Sequence, residues 1–476
     1  MENWLLLLSF AALFTGGFLL RKLWLGALMG CVILILGKLL LTQGEVYAPL
    51  ANGTIVSVEL ILLLFGAYLF YNTLASLDHF GDFVKSSAAF SSRLTVAILL
   101  CWFLGSFMEG IAGFGIPAML IAPLMLAVGY KPLTSVVLPL AADTTAVTFG
   151  ALGTPVKVGL EIYSNSPEVH YTVIMNVLPA LAVPLGLAWL YSKTEEEKVN
   201  WKAEWKMLLS AGICFAVPYG TVGQFSVEYP SVVAGLMGMI PFVWLSVPNK
   251  ERPPTRVWLM TFYPYLLFVG MLIALKYLLG GVEFSFGEDF KAISLYQPGL
   301  VFIAAAILYL QIASQPDLLS FTLKQAKSTL SRLVLPIFTI LFLVFFAQLL
   351  RQNLAIFAGE IFAGASGIAS LGFVSLAGIL GTFVTGSATM SVLLFNSSVM
   401  ALFPPGDPLY LRLALLLTGA AIGNAISFQN IVMVQSVVAQ PVSISKILSN
   451  NLKFVLLYSL VVFIQGLVIS YLYVDV

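Results

Sequence analysis

Hydrophobic positions along this chain form long unbroken blocks separated by short polar gaps. Plain blocks cover about 4–20, 23–41, 54–77, 171–191, 207–222, 230–247, 257–279, 298–313, 333–350 and 454–473, each with at most one charged residue. About 20 consecutive apolar residues suffice for a helix to cross the hydrocarbon core of a bilayer. Two longer apolar blocks, about 94–156 and 361–445, do not divide into spans of that length. The block from Trp4 is preceded only by Glu2 and no basic run; a cleaved signal peptide needs a basic leader, so this block reads as a retained first span. The pattern predicts an all-α polytopic membrane protein over residues 1–476, with about 12–14 transmembrane or re-entrant helical segments.

The polar gaps alternate in charge. Arg21 and Lys22; Lys85 and Arg93; Lys193, Lys198, Lys202 and Lys206; Lys250, Arg252 and Arg256; Lys324, Lys327 and Arg332; and Lys446 and Lys453 form six basic segments. They hold 16 of the 23 basic residues. The gaps between them, 42–53 and 223–229, have none, and 280–297 sets Lys291 against Glu283, Glu288 and Asp289. The positive-inside rule then places the six segments in the cytoplasm and both termini outside it. It makes 193–206 the mid-chain cytoplasmic connection of a multi-pass plasma-membrane protein.

The same charges reveal an internal repeat. A shift of 276 residues superposes Gly105-Ser106-Phe107-Met108-Glu109-Gly110 on Gly381-Thr382-Phe383-Val384-Thr385-Gly386, and Pro132-Leu133 on Pro408-Leu409. Identity in the overlay is low, but the order of segments recurs. A plain span (54–77; 333–350), a semi-polar stretch (78–93; 354–369), a Gly-rich apolar block and a last plain span (171–191; 454–473) follow each other in both halves. Span 54–77 ends at the basic side, whereas 333–350 begins there; 171–191 and 454–473 differ in the same way. The expectation is two inverted repeats, about 54–191 and 333–473, an architecture that many secondary transporters build with broken helices.

Composition narrows the classes. The chain is 60% hydrophobic and 9% charged, against about 45–50% and 25% in a soluble domain, which excludes a soluble enzyme, a disordered scaffold and a secreted disulfide protein. A net charge of +1 indicates no nucleic-acid partner. Cys31, Cys101 and Cys214 lie apart in apolar runs and form no CxxC pair, so no disulfide framework or cysteine metal site is expected. The histidines are His79, between Asp78 and Asp82, and His170, at a helix start; no HExxH or GxSxG occurs. No catalytic set, resident metal or cofactor is expected.

The chemistry concentrates in the two irregular blocks. In the first, Gly105, Gly110, Gly113 and Gly115 with Pro117 interrupt an apolar run. Gly costs about 1 kcal/mol and Pro about 3 kcal/mol in a helix interior, so a re-entrant hairpin or unwound helix is expected here. Irregular backbone is tolerated at membrane depth only where protein or water satisfies it, and N–H groups freed at a half-helix start can hold an anion. Glu109 and Asp143 fall at these breaks as carriers of a coupling proton or cation, because an acid at membrane depth is a functional candidate. Glu59 and Glu360 are weaker candidates. In the second block Thr385, Ser387, Thr389, Ser391, Asn396, Asn424, Gln429 and Asn430 supply hydroxyls and amides and no charge intervenes between Glu360 and Asp407. The substrate-binding set expected from both breaks is Gly110, Gly113, Gly115, Thr385, Ser387, Thr389, Ser391, Asn424 and Gln429.

At these residues the sequence resembles the lactate permease family of bacterial and archaeal secondary transporters. The stretch Phe107-Met108-Glu109-Gly110-Ile111-Ala112-Gly113-Phe114-Gly115 with Pro117 is similar to the family's FxEGxAGFGxP. Val147-Thr148-Phe149-Gly150-Ala151-Leu152-Gly153-Thr154-Pro155 is similar to its V-A-F-G-x-x-G-x-P. Gly381-Thr382-Phe383-Val384-Thr385-Gly386-Ser387 with Thr389 is similar to its GxFxTGSxT, and Gln429 stands in a stretch like its ISPQSI. The chain departs from the pattern at Ala388 and Val392, where the family has an acid and an asparagine, at Asn424 in place of a lysine, and at Phe428 in place of a proline. The resemblance implies a symporter importing lactate, glycolate or a related 2-hydroxy monocarboxylate with protons, with sodium coupling to another small organic anion as the alternative. It also implies re-entrant hairpins, with the lipid bilayer and a small anion as partners and room for a homodimer.

Overall fold

The computed structural model describes the chain except residues 1, 17–19, 21, 43–44, 78–80, 89, 114, 163–165, 286, 288–290, 314–316, 363–367, 404–405, 436, 439–441 and 474–476. Side chains are further left undescribed at 2–3, 41–42, 83–84, 88, 351–362, 407 and 473. The reading of His79 and the side chain of Glu360 therefore lie outside the described residues. The fold is that of an all-α polytopic membrane protein: among the described residues, 11 helices are long and apolar enough to cross a membrane, and strand is confined to the pair Glu283–Phe284 and Ile293–Ser294.

The plain hydrophobic blocks are the centres of longer helices. Block 171–191 lies within Pro167–Thr194 and block 333–350 within Leu318–Phe362. The latter corrects the expectation of a gap before 333, because Lys324, Lys327 and Arg332 are good helix formers and continue the helix. The connection expected over 193–206 is likewise shorter. The next helix starts at Trp201, where the Asn200 side chain accepts from the Ala203 N–H at 3.3 Å and serves as its N-cap.

The chain forms two compact units, Met1–Ser86 with Pro253–Leu350 and Ser87–Arg252 with Arg351–Val476. In the first, helices Tyr47–Ser76 and Pro298–Ile312 cross where Gly66 meets Gly299. A Cβ on Gly66 would lie 2.2 Å from the Gly299 carbonyl oxygen, so only a small residue permits this approach. Phe70, Phe268 and Phe302 pack beside it, the last two stacked with ring centres 3.9 Å apart. Glu59 forms an ion pair with Lys291; the acid in span 54–77 is thus neutralised by the loop lysine.

The second unit contains two helical hairpins. Arg93–Ile111 runs to a break at 112–115 and returns as Ile116–Val128. Its ends are tied together: Arg93 Nη2 donates to the Gly129 carbonyl at 2.9 Å, Tyr130 Oη donates to the Arg93 carbonyl at 2.5 Å, and the guanidinium lies 4.7 Å from the Tyr130 ring centre. Ile368–Thr385 and Ala388–Leu402 form the second hairpin around Gly386-Ser387. Buried Arg412 joins its ends, with Nε donating to Ser370 Oγ at 2.9 Å and the guanidinium 4.1 Å from the Phe403 ring centre.

Each hairpin is followed by a broken helix and then a long one. Pro132–Ala146 breaks at a 3-10 turn, Val147–Phe149, and continues through Gly150–Thr154 and Pro155–Gly159 before Pro167–Thr194. Asp407–Gly423 breaks at Asn424–Ile426 and continues as Phe428–Gln435 before Ile444–Tyr473. The order of elements therefore recurs in step with the sequence overlay.

Candidate functional site

The two hairpin tips and the two helix breaks meet in the second unit. At the first tip the chain turns through left-handed Gly113 (φ 59°) and Gly115 (φ 76°); at the second through Gly386 (φ 75°). An L side chain in this region costs about 1–2 kcal/mol, which accounts for glycine at each turn. Ser387 then caps the returning helix, its Oγ accepting from the Met390 N–H at 3.4 Å. Thr385 Oγ1 donates to the Gly381 carbonyl at 2.8 Å, closing the arm before the break.

Between these tips lies a cavity of about 20 Å³. Glu109 and Gly113 line it from the first hairpin, Gly386, Ser387, Ala388 and Thr389 from the second, and Val147, Gly150, Ala151, Pro155 and Asn424 from the breaks. That volume holds about one water molecule. The first amides of Ala388–Leu402 lie among groups without an intrahelical partner, and the helix start favours negative charge. Among the described residues, no lysine or arginine lines the cavity.

Glu109 is 3% exposed, and its Oε2 has no hydrogen-bond partner among the described residues. Its Oε1 rests against Gly150, where an added Cβ would lie 2.4 Å away. Asp143, 1% exposed, also lacks partners at both oxygens among the described residues. It does not line the cavity, but its carboxyl interacts electrostatically with that of Glu109. Just beyond it, the helix-end carbonyls at the first break are satisfied from neighbouring helices: Tyr219 Oη donates to Thr145 at 3.2 Å and Ser231 Oγ to Ala146 at 2.7 Å.

Of the residues expected from sequence, Glu109, Gly113, Ser387, Thr389 and Asn424 line the cavity together. Gly115 packs against the Asn430 side chain and Gln429 against Gly386, one layer behind it. Asn430 Nδ2 donates to Asn424 Oδ1 at 2.6 Å, orienting that amide. Gly110 instead faces Val232 of the helix Pro230–Ser246, and Ser391 Oγ donates to the Gly378 carbonyl at 2.8 Å within its own hairpin. Those two, with Thr385, hold the scaffold in shape.

The profile of the L-lactate permease family matches residues 6–252 and 243–473. The chain belongs to the L-lactate permease family. Relatives include a putative L-lactate permease of Haemophilus influenzae, 26% identical over 81% of this chain and 82% of its own. The glycolate permease GlcA of Escherichia coli is 25% identical over 81% of this chain and 73% of its own. Among solved structures, MtrF of Neisseria gonorrhoeae covers 87% of this chain and 81% of its own at 12% identity and a TM-score of 0.42, too distant to bear on the site. As a member of the L-lactate permease family, the chain is a multi-pass membrane transporter.

In this permease three features escape sequence reasoning. Gly150 is a neighbour of Glu109 only through space. Ala151 and Leu152 sit at φ 45° and 56°, held by a hydrogen bond from Thr154 Oγ1 to the Ala151 carbonyl. Lys157 pairs with Glu228 at 3.0 Å, with side-chain exposures of 15% and 4%; the visible signal is a lysine that directly follows the apolar block 94–156.

Proposed function

We propose that the chain is a secondary active transporter importing lactate or a related 2-hydroxy monocarboxylate together with protons across the plasma membrane. The observation that carries the reading is the cavity in which Glu109 faces the capped start of Ala388–Leu402. The substrate carboxylate would take the free amides and the hydroxyls of Ser387 and Thr389, and Asn424 would meet the 2-hydroxyl. An ionised Glu109 beside that anion repels it, since like charges within about 4–6 Å disfavour each other. A proton on Glu109 removes the repulsion. Proton and anion then bind with positive coupling, which is reciprocal by thermodynamic linkage. Asp143, in electrostatic contact with Glu109, is the second stop for the proton.

Inverted halves fit this scheme. The base of the first hairpin is held by the 195–197 connector: Lys131 N donates to Glu195 at 2.7 Å, and Lys131 Nζ pairs with Glu196 at 2.9 Å. That hydrogen bond and the charges of Lys131 and Lys446 hold the Glu196 carboxyl below its usual range. The helix Ile444–Tyr473 therefore starts near the same connector. The broken helix Asp407–Gln435 leads from the base of the second hairpin towards that start, which supports opposite faces for the two bases. On the charge pattern, the connector side is cytoplasmic and both termini are outside.

The test is uptake of radiolabelled L-lactate and glycolate by the purified chain in sodium-free proteoliposomes. An inward proton gradient should drive concentrative uptake. Accumulation that needs a sodium gradient and ignores pH would replace the proton with Na+ at Asp143, Thr144 and Thr145. No accumulation under either gradient rejects the transporter reading of this substrate class.

A further inference from the structure

An anion site whose ionisable lining group is a carboxylate leaves the question of which cation receives the substrate. Among the described residues the cavity lining contains none, but the segment that forms part of its wall does. Pro155 lines the cavity, and Lys157 stands two residues farther along the same π-helical segment, Pro155–Gly159. This segment is fixed from the second hairpin: Asn396 Nδ2 donates to the Gly159 carbonyl at 2.7 Å. The residues just before it pack against the 224–229 loop, since a Cβ on Gly153 would lie 2.0 Å from the Val227 carbonyl oxygen. Lys157 is therefore held beside the arm of the second hairpin that carries Thr389, and its ammonium is engaged by Glu228.

We infer that Lys157 is the residue that takes the substrate carboxylate as it enters or leaves the cavity, and that Glu228 is the internal carboxylate the substrate displaces. This rests on the monocarboxylate reading above. A buried ion pair is weak support for stability, because desolvation offsets the attraction; retaining one beside an anion pathway suits exchange of one carboxylate for another. The ammonium has three donors and receives a monocarboxylate in the geometry it already offers Glu228. The displaced side chain belongs to the 224–229 loop, in which Phe225 is 81% exposed and Glu228 itself is 3% exposed, so its displacement requires the loop to shift. The loop then moves with the exchange, coupling occupancy to opening on that side.

The experiment compares uptake kinetics of wild type, Lys157→Gln, Lys157→Arg, Glu228→Gln and the double variant, with L-lactate and glycolate as probes. Losing one charge-assisted contact should raise the KM of Lys157→Gln by about 10- to 100-fold, with Lys157→Arg recovering part of it. Glu228→Gln should lower KM, because the competitor is gone. The double variant should stay as weak as Lys157→Gln. A purely structural pair gives the opposite pattern: both single variants lose thermal stability, the double variant regains it and KM is unchanged. That pattern, or an unaltered KM in Lys157→Gln, overturns the inference while wild-type uptake keeps the functional reading intact. If wild type takes up neither probe under either gradient, the reading and the inference fall together.

Discussion

Glu109 is buried beside the proposed anion site, and the role proposed for it is separable from binding. Glu109→Gln keeps the shape and the hydrogen-bonding capacity of the neutral acid but cannot release a proton. Proton-driven accumulation should fall to background, while lactate exchange between equal pools, which needs no net proton movement, should persist. Coupled accumulation at the wild-type level would remove Glu109 from the mechanism. Gly150→Ala tests the same contact from the other side. Its methyl group would lie 2.4 Å from Glu109 Oε1, and overpacking of this kind costs about 1–3 kcal/mol. Lower thermal stability in detergent together with weaker uptake is expected, and a variant equal to wild type in both would show that the carboxyl is free to move away. Glu109 was legible in the sequence because a lone acid amid glycines in an apolar block has few other reasons to be there. Gly150 was legible only as part of a motif, since its contact spans 41 positions of chain that no local pattern connects.

The hairpins depend on their bases as much as on their tips. The tips could be read in advance from Gly113, Gly115 and Gly386, because glycine marks positions where the chain must turn left-handed. The bases could not, since Arg93 reads in the sequence as a topology marker and nothing in the pattern singles out Arg412. Each guanidinium packs on an aromatic ring and ties a helix start to a helix end. Ala151 and Leu152 are equally silent in sequence, as non-glycine residues at positive φ are held there by their surroundings. The predicted consequence concerns the second hairpin. Arg412→Ala strips the donors from Ser370 Oγ and the Pro408 carbonyl, each a loss of about 1–3 kcal/mol when the group stays buried. The variant should lose its monodisperse elution at a temperature several degrees lower than wild type, and Arg412→Lys should recover part of the loss. Equal melting for all three would mean that the base is held by apolar packing alone.

For the whole molecule the decisive quantity is direction. Alternate basic gaps assign sides to the spans, and the recurring order of hairpin, broken helix and long helix assigns partners to the halves. The 195–197 connector brings these together, because it holds the base of the first hairpin through Lys131 and lies near the start of the last helix through Lys446. If the halves are inverted, the base of the first hairpin faces the cytoplasm and that of the second faces outward, and a ligand held between the tips can be opened to either side by moving one hairpin. Single cysteines decide the matter. The native Cys31, Cys101 and Cys214 are buried, so their background is low. Lys131→Cys, at a side chain 45% exposed, should react with a membrane-impermeant maleimide only in inside-out vesicles. Ala401→Cys, exposed at the end of Ala388–Leu402, should react only in right-side-out cells. Labelling of both from the same face would make the repeats parallel. Two hairpins opening to one side cannot alternate access by exchanging roles, so that result would leave the fold standing and require a different transport cycle.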